Sequence, residues 1–311
     1  MALTALDQLG ADAAEKTRGV SATALSGKGG TGKSFLQYHL AGQASAEGID
    51  TLVMDADPEQ NLTNIYAKQD PEIANAPGLA DVLIAAGVLN GSDNYDIEAG
   101  AAKLLEVIRP LGPDWPHVWF VPAGRGLQGL SQMPFSGDAW AWLLRDIMEA
   151  AGIYHRFRLI LGDTAGRRGA LVTMVMYASD VAYAPIASTE AAVTKAQEAR
   201  GRVQAIQEAH PLKWAGVIVT GLDLRAAINQ VLKADAAEAF GAKLDDKGIN
   251  FVEWGQIIAD IPYRPATVHQ SYQLGERLIT YAGPQARDLA GMFSNILHNH
   301  ILTAVPTEVT A

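Results

Sequence analysis

The chain has 311 residues, is 49% hydrophobic, carries a formal net charge of −10 and contains no cysteine. That length and apolar content allow one large buried core, while the missing thiols exclude disulfides, thiolate zinc sites and cysteine-ligated iron–sulfur clusters. No signal-like N terminus and no apolar run of about 20 residues occurs, so a soluble cytoplasmic chain is expected, and the acidic balance excludes a surface coated in basic residues.

Residues Met1 to Gly19 read as a short polar-faced helix, an N-terminal extension before the main domain. Val20 to Leu25 is an apolar run suited to a buried strand, and residues 27 to 34 read GKGGTGKS, which satisfies GxxxxGK[ST]. Such a loop curls its backbone N–H groups around phosphate oxygens, which needs the torsional freedom of Gly27, Gly29, Gly30 and Gly32. Lys33 would bridge the β- and γ-phosphates of a nucleotide, and Ser34 would place its hydroxyl on Mg²⁺. From Ser34 to Glu47, Phe35, Leu36, His39, Leu40 and Gln43 recur at helical spacing, so a helix N-terminus adds its positive dipole to the loop. Gly27 to Phe35, Thr31 included, is therefore the expected nucleotide cradle.

A second strand, Thr51 to Asp55, leads into DADPEQN at 55 to 61. Asp55 and Asp57 share one parity on an extended chain, so both are expected to face the phosphates, one toward the metal shell and one toward an attacking water; a turn begun by Asp57-Pro58 is the alternative. Loops are expected at Asp70 to Gly78 and Asn90 to Tyr95, and helices at Ala80 to Ala86, Ala99 to Ile108 and Asp138 to Ala151, around a strand at Val118 to Val121. The strand Leu159 to Asp163 delivers another carboxylate, Asp163, before Thr164-Ala165-Gly166, as expected of an aspartate that holds Mg²⁺ through water. Arg167 and Arg168 follow as an unusual basic pair without an assigned role.

Further strands are expected at Val181 to Pro185, Ala215 to Thr220 and Gln256 to Ile261, and helices at Thr189 to Ala209, Ala226 to Phe240 and Gln285 to Ile301. Six basic against three acidic residues lie between Lys195 and Lys233, either a local basic patch or a solvated helix face. In the last helix Leu289, Met292, Phe293, Ile296, Leu297 and Ile301 have core spacing with few basic neighbours, the pattern of a packed helix and not of a lipid anchor. Alternating strands and helices imply an α/β doubly wound, mostly parallel sheet flanked by helices, a single domain spanning residues 20 to 302 with a frayed tail from 303.

Four segments together, GKGGTGKS at 27 to 34, DADPEQN at 55 to 61, LILGDTAG at 159 to 166 and IPYRPATVHQSYQLG at 261 to 275, resemble the ParA/MinD family of deviant Walker A ATPases. The resemblance spans most of residues 20 to 285. It implies an ATP- and Mg²⁺-dependent homodimer in which Lys28 reaches the partner's phosphates, Lys33 and Ser34 act in cis, Asp55 and Asp163 join Ser34 around the metal, and Asp57 positions water. It also implies adenine contacts from Pro262 and Tyr263, although Tyr263 equally suits a core or surface position. In the DNA-segregating branch, arginines near the equivalents of Arg225 and Arg264 bind DNA without sequence preference, with a surface ion pair as the alternative for each.

The resemblance further implies a ParB-like or cargo-adaptor protein that stimulates hydrolysis, and nucleoid association of the ATP-bound state. Only 26 residues precede Gly27, too few for a helix-turn-helix domain plus the first strand. A membrane-associated positioning ATPase and a metabolic ligase or kinase on the same scaffold are the alternatives; the latter would not need Lys28. Two departures stand out: Glu59-Gln60 replaces a single glutamine, and His269-Gln270-Ser271 stands where a glutamate-alanine pair is common.

Overall fold

The computed structural model describes residues 17–27, 30–91, 93–135, 138–166, 168–186, 191–222, 257–262, 270–281 and 283–304, with backbone alone at 191–192, 221–222 and 257–262. Eight strands form one sheet: β1 (Val20–Ala24), β2 (Thr51–Ala56), β3 (Arg109–Pro110), β4 (Val118–Val121), β5 (Leu159–Thr164), β6 (Val181–Ile186), β7 (Lys213–Leu222) and β8 (Ile257–Pro262). Their spatial order is β3-β4-β2-β5-β1-β6-β7-β8. Every pairing is parallel except that of the two-residue β3 with β4. The central strands are buried at every position, which is why they read in sequence as continuous apolar runs rather than alternating ones.

The first helix among the described residues, α1 (Lys33–Ala46), carries the chain over β5 from β1 to β2. Helices α2 (Asn61–Tyr66), α3 (Leu79–Ala85), α4 (Ile97–Val107), α5 (Leu127–Leu130), α6 (Ala139–Ala150) and α7 (Ile153–Arg156) precede β5; α8 (Ala170–Tyr177) and α9 (Ala191–Ile206) flank β6. The chain continues through α10 (Gln270–Leu274) to α11 (Pro284–Ile296), which a π-helical turn extends through Ile301. One face of the sheet packs on α1, α2 and α11 through Leu36, Leu40, Leu62, Phe293 and Ile296. The other packs on α3, α4, α6 and α8 through Leu83, Leu104, Leu144 and Val175, continued by α8 and α9 through Met176 and Val203.

Three differences from the sequence expectations have local causes. The expected loop at Asp70 to Gly78 contains a 3₁₀ helix, Pro71–Asn75, begun by proline in the first turn and by the Asp70 carboxylate accepting from Glu72 N at 3.1 Å. Helix α8, ALVTMVMY, has no polar stripe because it is wedged between the sheet and α9, so it carries no helical period. Helix α4 stops at Val107, and Ile108 turns extended to enter β3. The expected helices at Met1 to Gly19 (apart from its last three residues) and Ala226 to Phe240, and the tail from 305, lie outside the described residues.

The apolar face of α11 is in the core: Leu289, Phe293, Ile296, Leu297 and Ile301 are all buried. Among the described residues, no helix is long and apolar enough to cross a membrane.

Candidate functional site

The loop after β1 lies at the carboxyl edge of the sheet, where the chain leaves β1 toward β2 on one side while β6 pairs on the other, the position at which open α/β sheets bind ligands. Gly30 (φ 75°) and Gly32 (φ 94°) hold left-handed torsions that a side chain would strain. Lys33, the first residue of α1, is buried, and its Nζ donates to Ser26 Oγ at 3.2 Å. Burial lowers the lysine's pKa; Asp163, Asp57 and Glu59 oppose that shift, and Arg202 adds to it. Thr31 is also buried, its hydroxyl without a partner among the described residues. Phe35 turns toward the aromatic cluster behind the loop, 4.4 Å from His39 and 5.8 Å from Tyr272 between ring centres.

Three carboxylates converge beside this loop. Asp55 and Asp163 are register partners on the adjacent strands β2 and β5, and both are fully buried. Asp55 is fully engaged: Oδ1 accepts from Asp57 N at 3.1 Å, and Oδ2 accepts from Thr63 N and Thr63 Oγ1, each at 2.8 Å. The parity expectation for Asp55 and Asp57 fails for this reason. Strand β2 ends at Ala56, Asp57 sits in the turn beyond it, and the Asp55 carboxylate faces back onto the start of α2. Asp57 Oδ1 accepts from Glu59 N at 3.0 Å, so the Asp57-Pro58 turn exists together with an inward carboxylate.

Asp163 differs from both: no described residue makes a close, well-aligned hydrogen bond to either carboxylate oxygen, and the nearby Ser34 hydroxyl is its available donor. Burial, then the Asp55 charge, pushes its pKa up to about 8, opposed by the nearby Ser34 hydroxyl and Lys33. Burial raises Asp55 to about 6 despite its hydrogen bonds from Thr63 and Asp57. Asp57 is raised by burial, with the Glu59 N–H and Lys33 opposing. A buried carboxylate so sparsely hydrogen-bonded is a costly arrangement that a cation beside it relieves. Ser34 and Asp163 therefore fit Mg²⁺, whose octahedral shell takes few protein oxygens alongside water and phosphate. Among the described residues no group of three or more His, Cys, Asp or Glu could hold a metal by itself.

Supporting contacts come from residues that carry no sequence signal, because each joins segments far apart in the chain. Arg202 of α9 donates from Nη2 to the Ser26 carbonyl at 2.6 Å. The Lys195–Glu198 pair, 2.6 Å apart, lies against Gly27, where an added Cβ would meet Lys195 Cδ at 2.7 Å and Glu198 Oε2 at 2.8 Å. The Gly162 carbonyl accepts from Thr23 Oγ1 at 3.0 Å and Gln37 Nε2 at 2.8 Å, and Tyr183 donates to Gln37 Oε1 at 3.0 Å, so the residue before Asp163 is fixed from two strands, β1 and β6, and α1. Gly162 has no room for a side chain, since a Cβ would lie 2.7 Å from Val175 Cγ1 of α8. A cavity of about 670 Å³ opens beside Gly27, lined by Asp57, Glu59, Gly166, Arg168 and Gln128 among others.

The structure thus brings together Gly27, Gly30, Gly32, Lys33, Ser34, Asp55, Asp57 and Asp163. The backbone of Pro262 ends β8, while Lys28, Gly29, Arg167, Arg225, Tyr263 and Arg264 lie outside the described residues.

Residues 22–268 match the family described as the CobQ/CobB/MinD/ParA nucleotide binding domain. The chain is 23% identical over 221 residues to the chromosome partitioning protein ParA of Caulobacter vibrioides, an alignment covering 70% of this chain and 76% of that protein. Among solved structures, an ATP complex of Cyanothece McdA superposes with a TM-score of 0.69 at 17% identity, covering 91% of this chain and 96% of that one. The septum site-determining protein MinD of Pyrococcus horikoshii, complexed with Mg-ADP, gives 0.63 at 15% identity, covering 94% and 100%. At such identities the structural likeness establishes the shared fold.

Proposed function

The chain belongs to the CobQ/CobB/MinD/ParA nucleotide-binding family, and from that premise we propose that it is a Mg²⁺-dependent ATPase of the partition or positioning type. In this reading it pairs as a homodimer when ATP-bound, binds DNA without sequence preference, and hydrolyses ATP when a partner protein stimulates it. The observation that carries the reading is Asp163: a fully buried carboxylate with no close hydrogen bond from the described residues, within reach of the Ser34 hydroxyl and the buried Lys33, at the mouth of a glycine loop.

The chain's own residues divide the work. Gly30 and Gly32 open the backbone so that N–H groups face the phosphates. Lys33 exchanges Ser26 Oγ for the β- and γ-phosphates, a partner of opposite charge for a group that burial otherwise drives toward neutrality. Ser34 and Asp163 hold Mg²⁺, while Asp55 secures Thr63 and the turn that carries Asp57. The ion supplies charge neutralisation at the phosphate oxygens. Asp57 orients the attacking water, and Lys28, given by the partner copy, offsets the repulsion between two facing triphosphates.

Arg225 and Arg264 are the proposed DNA contacts, and Pro262 with Tyr263 the adenine contacts. The buried apolar face of α11 favours DNA over a membrane as the surface on which the protein is positioned, since that face has none left to give to lipid.

The test is sedimentation with ADP and with ATP, alongside phosphate release. Wild type pairs with ATP alone, and Lys28→Ala binds ATP yet stays monomeric. Equal dimer fractions for both proteins would refute the proposed trans role. Loss of salt-sensitive duplex binding on joint Arg225→Glu and Arg264→Glu substitution tests the DNA assignment.

A further inference from the structure

Arg168 follows the Asp163-Thr164-Ala165-Gly166 segment and is exposed on the wall of the 670 Å³ cavity, which Gly27, Asp57 and Glu59 also line. Among the described residues it makes no hydrogen bond and no close ion pair. Its neighbours explain why. Burial lowers the pKa of Arg202, the Arg168 charge lowers it further and Glu198 opposes, so the two guanidinium groups and one carboxylate share a neighbourhood. That carboxylate is already held by Lys195 at 2.6 Å, and Arg202 is committed to the Ser26 carbonyl. Among the described residues, three cations and one anion thus flank the entry of the glycine loop, and Arg168 makes no close contact with that anion.

The same cavity also carries negative charge. Asp57 and Glu59 line the cavity together, so a terminal phosphate entering it would meet two carboxylates. Repulsion of that kind is several-fold stronger near protein than in water and needs a cation on the free side. Arginine suits the task because its planar fork matches phosphate oxygens and its charge is permanent.

We propose that Arg168 contacts the terminal phosphate of the bound triphosphate from within the same chain, so that the site distinguishes ATP from ADP before any partner copy is engaged. The proposal rests on the nucleotide reading above and adds to it a discriminating residue.

The experiment titrates the full chain with ADP and with the β,γ-imido analogue of ATP, each with Mg²⁺, below the concentration at which sedimentation detects pairing. Relative to wild type, Arg168→Ala should weaken the analogue about tenfold or more while ADP affinity stays within about twofold, and Arg168→Lys should recover part of the loss. Equal weakening of both ligands, or of neither, would overturn the assignment. So would an unchanged analogue affinity accompanied by loss of pairing at higher concentration, which would place Arg168 at the subunit interface. Failure of the wild type to bind either nucleotide would refute the nucleotide reading itself, an outcome distinct from a variant that binds ADP normally.

Discussion

The two ends of the parallel sheet treat buried charge in opposite ways. Where the strands begin, Asp180 accepts both contacts of Arg18 Nη1 at 2.9 and 3.0 Å, together with Ser21 N at 2.9 Å, and the Arg18 guanidinium lies 4.2 Å over the Tyr154 ring. Where the strands end, Asp163 makes no close hydrogen bond among the described residues, has the Ser34 hydroxyl and Lys33 nearby, and meets added repulsion from its neighbour Asp55. A charge saturated by its own chain can only hold the architecture together. One left open keeps its interaction energy for something that arrives from outside, which is the difference between a structural ion pair and a site.

Replacing the open carboxylate is expected to have the largest functional effect. Asp163→Asn should lower Mg²⁺-dependent phosphate release about 100-fold or more, as losses of charge stabilisation at phosphoryl centres do. Its urea midpoint should equal or exceed that of the nucleotide-free wild type, because a costly buried charge is gone. A large fall in stability would break the contrast between the two ends. Asp180→Ala should do the reverse. Arg18 and Asp180 are 17% and 10% exposed, so solvent screens them little, and stranding Arg18 should cost about 3 kcal/mol by urea titration while nucleotide binding persists.

Thr63→Val removes the hydroxyl that donates to Asp55 and accepts from Ala123 N at 3.1 Å. The expected cost is about 1–2 kcal/mol in the same titration, with slower turnover because the Asp57 turn is less firmly held.

The smallest effect is a slope. Burial, aided by the Asp57 charge at Asp55 and by the Asp55 charge at Asp163, raises Asp55 to about 6 and Asp163 to about 8, so between the ordinary carboxylate value of about 4 and pH 8 the native state binds more protons than the unfolded chain. Stability of the nucleotide-free protein should therefore fall as pH rises through that window. Urea midpoints at several pH values should show the fall in wild type and a flatter profile in Asp163→Asn; a profile equally steep in both would detach the slope from Asp163.

What the sequence revealed follows the range of the interactions involved. Strands β1, β2, β4, β5 and β6 were legible because each is an apolar run bounded by turn-forming residues, and the glycine loop because its chemistry is written in consecutive positions. Helix α8 was hidden because burial on all sides erases the periodicity that marks a half-exposed helix. The Asp163 strand could be read, but the sparse hydrogen bonding of its carboxylate could not, since that depends on what β2 and α1 bring beside it. Arg202 was equally silent: its contact with Ser26 spans 176 positions, and nothing near either residue anticipates the other.

Gly27 carries a consequence for the helix that presses on it. Because a single methyl there would have to prise apart Lys195 and Glu198, the first residue of the loop and the outer surface of α9 are mechanically wired together.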